Sequence, residues 1–209
     1  MRSVTDTRLP VVLLHGLGRT SASMWLLARR LSRAGFHVMR IGYDSTHQTI
    51  EASVADVRRR IVKDLPGPVH LVGHSLGGLI AARILRDGRG SEVERAVQIG
   101  SPNLGSRLAG RMGGVWPARR LCGPALLELS SAPFETTTNR RIGAIAGTLG
   151  APGVGLTRPH DGAVTLRSAW AGAGHRAAVP VLHTLLPLSA EVARLTFSFL
   201  SDGTFGTRR

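Results

Sequence analysis

Residues 68–78 read Pro-Val-His-Leu-Val-Gly-His-Ser-Leu-Gly-Gly. A short apolar run enters a Gly-X-Ser-X-Gly corner, and small and apolar residues suited to a helix follow from Leu76 to Leu85. Strand, tight turn and helix in that order force a serine into a strained corner with its hydroxyl exposed. The glycines let backbone and neighbouring helix approach more closely than side chains permit. Ser75 is therefore the residue on which a functional reading rests. The bare pattern is weak in this chain. With 26 Gly and 16 Ser among 209 residues, roughly 0.24 chance occurrences are expected per chain. Context raises its weight. The run is bounded by Pro66-Gly67-Pro68, and a second glycine turn, His15-Gly16-Leu17-Gly18, closes another apolar run upstream. The plain alternative is a glycine-rich turn with a capping serine.

Outward from this corner, apolar runs alternate with amphipathic stretches. Val11–Leu14 reads as a strand, and 21–33 as a helix with Met24, Leu27, Ala28 and Leu31 on one face. A strand over 36–41 and a helix over 48–63 follow, the latter aligning Ile50, Val54, Val57 and Ile61. Residues 69–72 form the third strand and 76–87 the third helix. Further strands are expected at 95–99, 142–146 and 177–182, and a closing helix at 189–200. Strands alternating with helices predict a three-layer α/β fold with a mostly parallel sheet of about six strands, covered on both faces. Ligands in such sheets bind beyond the strand carboxyl ends. Both glycine corners fall there and are expected to share one crevice. The whole of 1–209 reads as a single domain. Residues 104–131 are less regular and read as a short helix pair over the site, a small lid-like segment. Residues 148–160 read as an exposed Gly/Pro-rich loop.

The net charge of +14 comes almost wholly from arginine, since Lys63 is the only lysine. The clusters Arg29-Arg30-Arg33 and Arg58-Arg59-Arg60 fall within amphipathic helices, which suits solvated faces. The same charge favours anionic partners, so peripheral contact with an anionic membrane surface is an expectation. Nucleic acid is not expected: there is one Tyr, no run of aromatics interleaved with basic residues, no zinc-finger spacing and no P-loop. No cofactor or metal is implied by any motif. Cys122 is the only cysteine, so an intrachain disulfide is impossible. Residues 1–10 are polar, and only four apolar residues precede His15. That is too short for a signal-peptide core or a membrane span, and it places the expectation on the cytoplasm.

A serine hydroxyl is a poor nucleophile at neutral pH. It needs a base within hydrogen-bond reach and an acid to orient that base. Behind a nucleophile corner the acid comes next along the chain and the histidine last. Asp87, Glu92 and Glu94 lie on or just past the third helix, pointing away from the crevice. Asp161 lies in the loop after the fifth strand, before Gly162. His183 ends the expected sixth strand. The competing bases are His175, in a Gly/Ala-rich connection, and His160, which would point away from Asp161 in an extended backbone. Asp161 and His183 are the preferred pair. The oxyanion calls for preorganised N–H donors. Leu76 N–H, at a helix N-terminus, is one; Leu17 N–H, in the first strand-to-helix loop, is the other. His15 reads as a structural anchor of that turn, and His74 as packing beside the corner.

Five pieces carry a family likeness: Val-Val-Leu-Leu-His-Gly-Leu-Gly (11–18), Val-Gly-His-Ser-Leu-Gly-Gly (72–78), Ser-Pro-Asn-Leu-Gly-Ser (101–106), Asp-Gly-Ala-Val (161–164) and Leu-His-Thr (182–184). With them the chain resembles a compact α/β-hydrolase of the bacterial serine esterase/lipase type. The resemblance implies Ser75 as nucleophile, Asp161 as acid, His183 as base and Leu17 with Leu76 as the oxyanion pair. It also implies carboxylic ester substrates, small-molecule or lipid. The first two strands of the full fold and a large cap are missing from the pattern. A thioesterase or acyltransferase uses the same three residues, and a non-catalytic hydrolase-fold binding protein is the reading from another class.

Overall fold

The computed structural model describes residues 8–88, 92–105, 124–129, 137–152 and 155–206. Six strands form one sheet: β1 (Val11–Leu14), β2 (Val38–Ile41), β3 (Val69–His74), β4 (Val93–Ile99), β5 (Asn139–Gly147) and β6 (Ala173–Val179). Their order is β2-β1-β3-β4-β5-β6 and every pairing is parallel. Central parallel strands are buried on both faces, which is why β1 is continuously apolar and why β3 is buried along its whole length, His70 and His74 included. Side chains alternate across the sheet. Val12, Leu14, Leu71, Ala96, Ile142 and Ala144 pack with α2 (Ile50–Asp64), α3 (Leu76–Arg86) and the helical residues 124–129. Val11, Leu13, Val72, Val97, Ile99 and Ile145 pack instead with α1 (Trp25–Arg33) and α5 (Ala190–Asp202). A short helix α4 (Leu166–Trp170) precedes β6. The caps are those the residue types favour: Thr49 accepts from Ala52 N–H at α2, Thr165 from Ser168 N–H at α4 and Ser189 from Val192 N–H at α5.

The chain leaves β1 for β2 on one side and then crosses to β3 on the other. That reversal opens a crevice at the carboxyl ends of β1 and β3, the place where open α/β sheets bind ligands. Among the described residues no helix is long and apolar enough to cross a membrane.

Two expectations need correction. The sixth strand runs over Ala173–Val179, not 177–182. His183 therefore does not end a strand; it opens a 3₁₀ turn, His183–Leu188. His175 is not in a connection but within β6, where its ring lies 5.4 Å from that of Phe199. As an edge strand with one exposed face, β6 is rich in Ala and Gly and carries little apolar signal. The helix α4 was not anticipated, because a five-residue helix is too short for a periodic pattern. Most of the expected lid-like segment 104–131, Cys122 included, lies outside the described residues. Of that stretch, residues 124–129 bury Ala125, Leu126 and Leu129 against α2 and α3.

Candidate active site

The corner after β3 is strained as its sequence implies. Ser75 has φ 54° and ψ −117°, the only non-glycine residue with positive φ among those described. Such a backbone costs on the order of 1–3 kcal/mol and persists only where the surroundings enforce it. The enforcing contacts are specific. Ser75 N–H donates to Ile99 O at 2.9 Å, and Gly78 N–H donates to Ser75 O at 3.0 Å. A Cβ on Gly77 would stand 2.5 Å from Leu14 O, so the first turn of α3 passes over β1 at a distance only glycine permits. Leu76 opens α3, and its N–H is among the four that a helix leaves without an internal partner.

The turn after β1 lies beside this corner. A Cβ on Gly16 would stand 3.3 Å from Ser75 Cβ and 3.1 Å from His74 Nδ1. His15 fixes the turn. Its Nδ1–H donates to Gly16 O at 3.0 Å, its Nε2 accepts from Tyr43 N–H at 3.3 Å, and Tyr43 Oη donates to His15 O at 2.5 Å. The two rings stack at 4.3 Å. Burial holds His15 below the usual histidine range, so the imidazole stays neutral in its anchoring role. Gly18 N–H donates to Ser45 Oγ and Arg19 N–H to Gly16 O, which engages the amides on the far side of Leu17.

Asp161 and His183 are brought together although 22 residues separate them. His183 Nδ1 lies 2.8 Å from Asp161 Oδ2, and His183 N–H donates to Asp161 O at 2.9 Å. Asp161 is 1% exposed. Its other oxygen, Oδ1, accepts from Ala163 N–H at 2.9 Å and Val164 N–H at 2.7 Å. Three donors therefore hold the buried carboxylate, which satisfies what its burial demands. Gly100 makes room for the pair: with φ 60°, its Cβ would meet Leu186 Cδ1 at 2.7 Å and both Asp161 Oδ2 and His183 Nδ1 at 3.2 Å.

His74 links this pair to the corner. Its Nε2–H donates to His183 O at 3.0 Å, and the rings lie 4.8 Å apart. Burial first, and then the neighbouring His183, push His74 down to about 3, so it is a neutral donor. Ser75 follows His74 directly. Ser75 follows β3, Asp161 lies against Gly147 at the end of β5, and His183 follows β6, with Leu17 in the turn after β1. His160 is engaged elsewhere, since its Nδ1 accepts from Gly162 N–H at 3.0 Å. Glu92 is likewise engaged, paired to Arg58 at 2.6 Å.

Some supporting residues carry little sequence signal. Gln98 Nε2 donates to Gly78 O at 3.0 Å and to Asn103 Oδ1 at 2.8 Å, and Asn103 Nδ2 donates to Ala169 O at 3.1 Å. This buried network ties β4 to the corner and to α4. The one clue was a glutamine inside an otherwise apolar strand end. One concavity touches the site, and a larger one is lined by other residues. The first, of about 110 Å³, meets the site through His74 and Thr184, with Arg19, Trp25, Leu26 and Leu188 among its walls. The larger groove of about 560 Å³, walled by Leu104, Leu166, Trp170, Arg158, Arg167 and Arg176, includes none of Ser75, Asp161 or His183.

The model of a family described as the alpha/beta hydrolase family matches residues 11–203. No curated protein sequence matches the chain. Among solved structures, the chain is similar to lipase BlEst2 of Bacillus licheniformis, with a TM-score of 0.68 and 22% identity over 95% of this chain and 93% of that one. A carboxylesterase structure from Nitrososphaera gargenis gives a TM-score of 0.70 at 15% identity, covering 94% and 91%. The type II thioesterase YbtT of a yersiniabactin pathway gives 0.62 at 13%, covering 94% and 92%. At these identities the likeness concerns the fold.

Proposed function

The chain belongs to the alpha/beta hydrolase family, and on that premise we propose that it is a serine hydrolase cleaving carboxylic esters through an acyl-enzyme. The observation that carries this reading is the hydrogen bond from His183 to the buried Asp161, with His183 packed on His74, the residue that precedes Ser75 on its strained turn. Asp161 engages Nδ1 of His183, which leaves Nε2 as the nitrogen that acts as base. Ser75 Oγ attacks the acyl carbonyl while His183 Nε2 takes its proton. The charge that develops on the carbonyl oxygen falls to the N–H groups of Leu17 and Leu76, the latter with the added field of the α3 N-terminus. His183 then hands its proton to the departing alkoxide oxygen. Water attacks the acyl-enzyme with the same histidine as base, releasing the carboxylic acid and restoring Ser75.

The test is a series of p-nitrophenyl esters of increasing acyl length, with matched thioesters. Ser75→Ala and His183→Ala should each lose at least about a thousandfold in kcat/KM. Turnover unchanged in Ser75→Ala would overturn the assignment. Preference for the thioester series would redirect the substrate class while leaving the three residues in their roles.

A further inference from the structure

The 3₁₀ turn His183–Leu188 and the residue before it create a feature that catalysis does not use. A 3₁₀ helix has three residues per turn, so Leu185 and Leu188 fall in a line, and Leu182 caps the turn, its carbonyl accepting from Leu185 N–H at 3.0 Å. Leu182, Leu185 and Leu188 are exposed at 39%, 46% and 44%, while Leu186 and Pro187 of the same turn are buried. The ridge begins one residue before His183. Trp25, 51% exposed at the start of α1, lines the same small cavity as Leu188, Thr184 and His74. Scattered exposed leucines are ordinary; an apolar face grouped around the mouth of a site marks an interaction surface.

Its border is cationic. Arg19 lines the same cavity. The Arg29 guanidinium lies 5.7 Å from the Trp25 ring. Arg30 Nη1 donates to Leu188 O at 2.6 Å, which locks the ridge to α1. Arg33 follows Arg29 one turn further along α1. Arg19, Arg29 and Arg33 make no ion pair among the described residues. Glu191, the acid next along the chain, is taken by Arg194 through two bonds of 2.9 Å.

We propose that this face docks the protein on an anionic lipid surface, with Trp25 and the three leucines in the headgroup–acyl boundary and the arginines on lipid phosphates. The chemistry matches on both counts. Indole and leucine side chains suit the boundary, and each basic residue near an anionic membrane strengthens partition by about fivefold. A symmetric pair of copies would set the arginines of one face against those of the other, which argues against self-association here. Docking of this kind does not depend on hydrolysis. It would set the mouth beside His183 against the bilayer.

The test uses the full chain and sedimentable vesicles, either phosphatidylcholine alone or phosphatidylcholine with phosphatidylglycerol at about 7:3. Wild type and Ser75→Ala should both partition onto the mixed vesicles, weakly onto the neutral ones, and less as salt rises. Leu185→Glu and the double variant Arg29→Glu/Arg33→Glu should each reduce partition at least tenfold, while keeping wild-type circular dichroism and wild-type hydrolysis of a dissolved short-chain ester. Equal partition by both variants, or no preference for the anionic vesicles, overturns the proposal. So does a dimer in sedimentation that Leu185→Glu dissociates, which would assign the face to a second copy. If no protein hydrolyses ester but the vesicle pattern holds, the docking stands and the enzyme reading falls.

Discussion

Replacing Asp161 by Asn tests the geometry of the site with almost no change in shape. Oδ1 of Asp161 accepts from two backbone donors, Ala163 N–H and Val164 N–H. An asparagine must keep its carbonyl oxygen there, because its NH₂ cannot accept. The NH₂ is then forced into the place of Oδ2, 2.8 Å from His183 Nδ1. Two donors cannot face each other, so Nδ1 gives up its proton and the ring shifts to the Nε2–H tautomer. Nε2 is then no longer a base toward Ser75. The expected loss in kcat is about 10⁴, or roughly 5.5 kcal/mol in transition-state stabilisation. The loss in stability is much smaller, about 1–3 kcal/mol for one charged hydrogen bond, since both backbone donors stay satisfied. Stopped-flow hydrolysis of a soluble p-nitrophenyl ester measures the first quantity and urea unfolding the second. Retention of a tenth or more of wild-type kcat in a folded Asp161→Asn protein would refute the reasoning.

Three further outcomes follow from the same contacts. Ser75→Gly relieves the positive φ and should unfold about 2–4 °C above Ser75→Ala, both being inactive; equal melting temperatures would mean the corner stores no strain. A Cβ on Gly73 would stand 2.1 Å from Gly77 carbon, so Gly73→Ala should lose about 3 kcal/mol or more, read as a fall in the urea midpoint. Burial, aided by Arg95, pushes His70 down to about 4, and His74 lies at about 3. Each has a folded-state value below the unfolded 6.5, so between those values the unfolded chain binds the extra proton. Stability should therefore be level above pH 7 and fall as pH drops through 6.5 toward 4, by up to about 1.4 kcal/mol per pH unit for each histidine. His70→Gln should reduce that slope by about one proton, as measured by urea unfolding at several pH values.

Much of the fold was legible because β1 is buried on both faces and so reads as an unbroken apolar run, because the shorter run Leu71-Val72 leads into the glycine corner, and because α2 repeats Ile50, Val54, Val57 and Ile61 at helical spacing. The sheet's far edge was not. β6 has one exposed face and is built of Ala and Gly, so its apolar signal began only at Ala177 and carried the expected strand past its end, across Pro180. His183, expected at the end of that strand, consequently falls on the 3₁₀ turn beyond it. Ser75 could be singled out because a corner this strained needs the glycines that surround it. The contacts that hold the corner were invisible for a different reason. Tyr43 reaches His15, Gln98 reaches Gly78, and Gly100 makes room for the Asp161–His183 pair, all through tertiary approaches with no local periodicity. The apolar ridge of Leu182, Leu185 and Leu188 was hidden in the same way, since its spacing has meaning only once a 3₁₀ turn is known.

The central claim is that Ser75 is a nucleophile activated by His183. The most direct measurement is the rate and position of labelling by a fluorophosphonate, followed by peptide mapping. The account predicts a single label per chain, on Ser75, forming in step with loss of ester hydrolysis, absent from Ser75→Ala and slowed at least a thousandfold in His183→Ala. A label that settles on another serine, or hydrolysis that survives full labelling of Ser75, would contradict it.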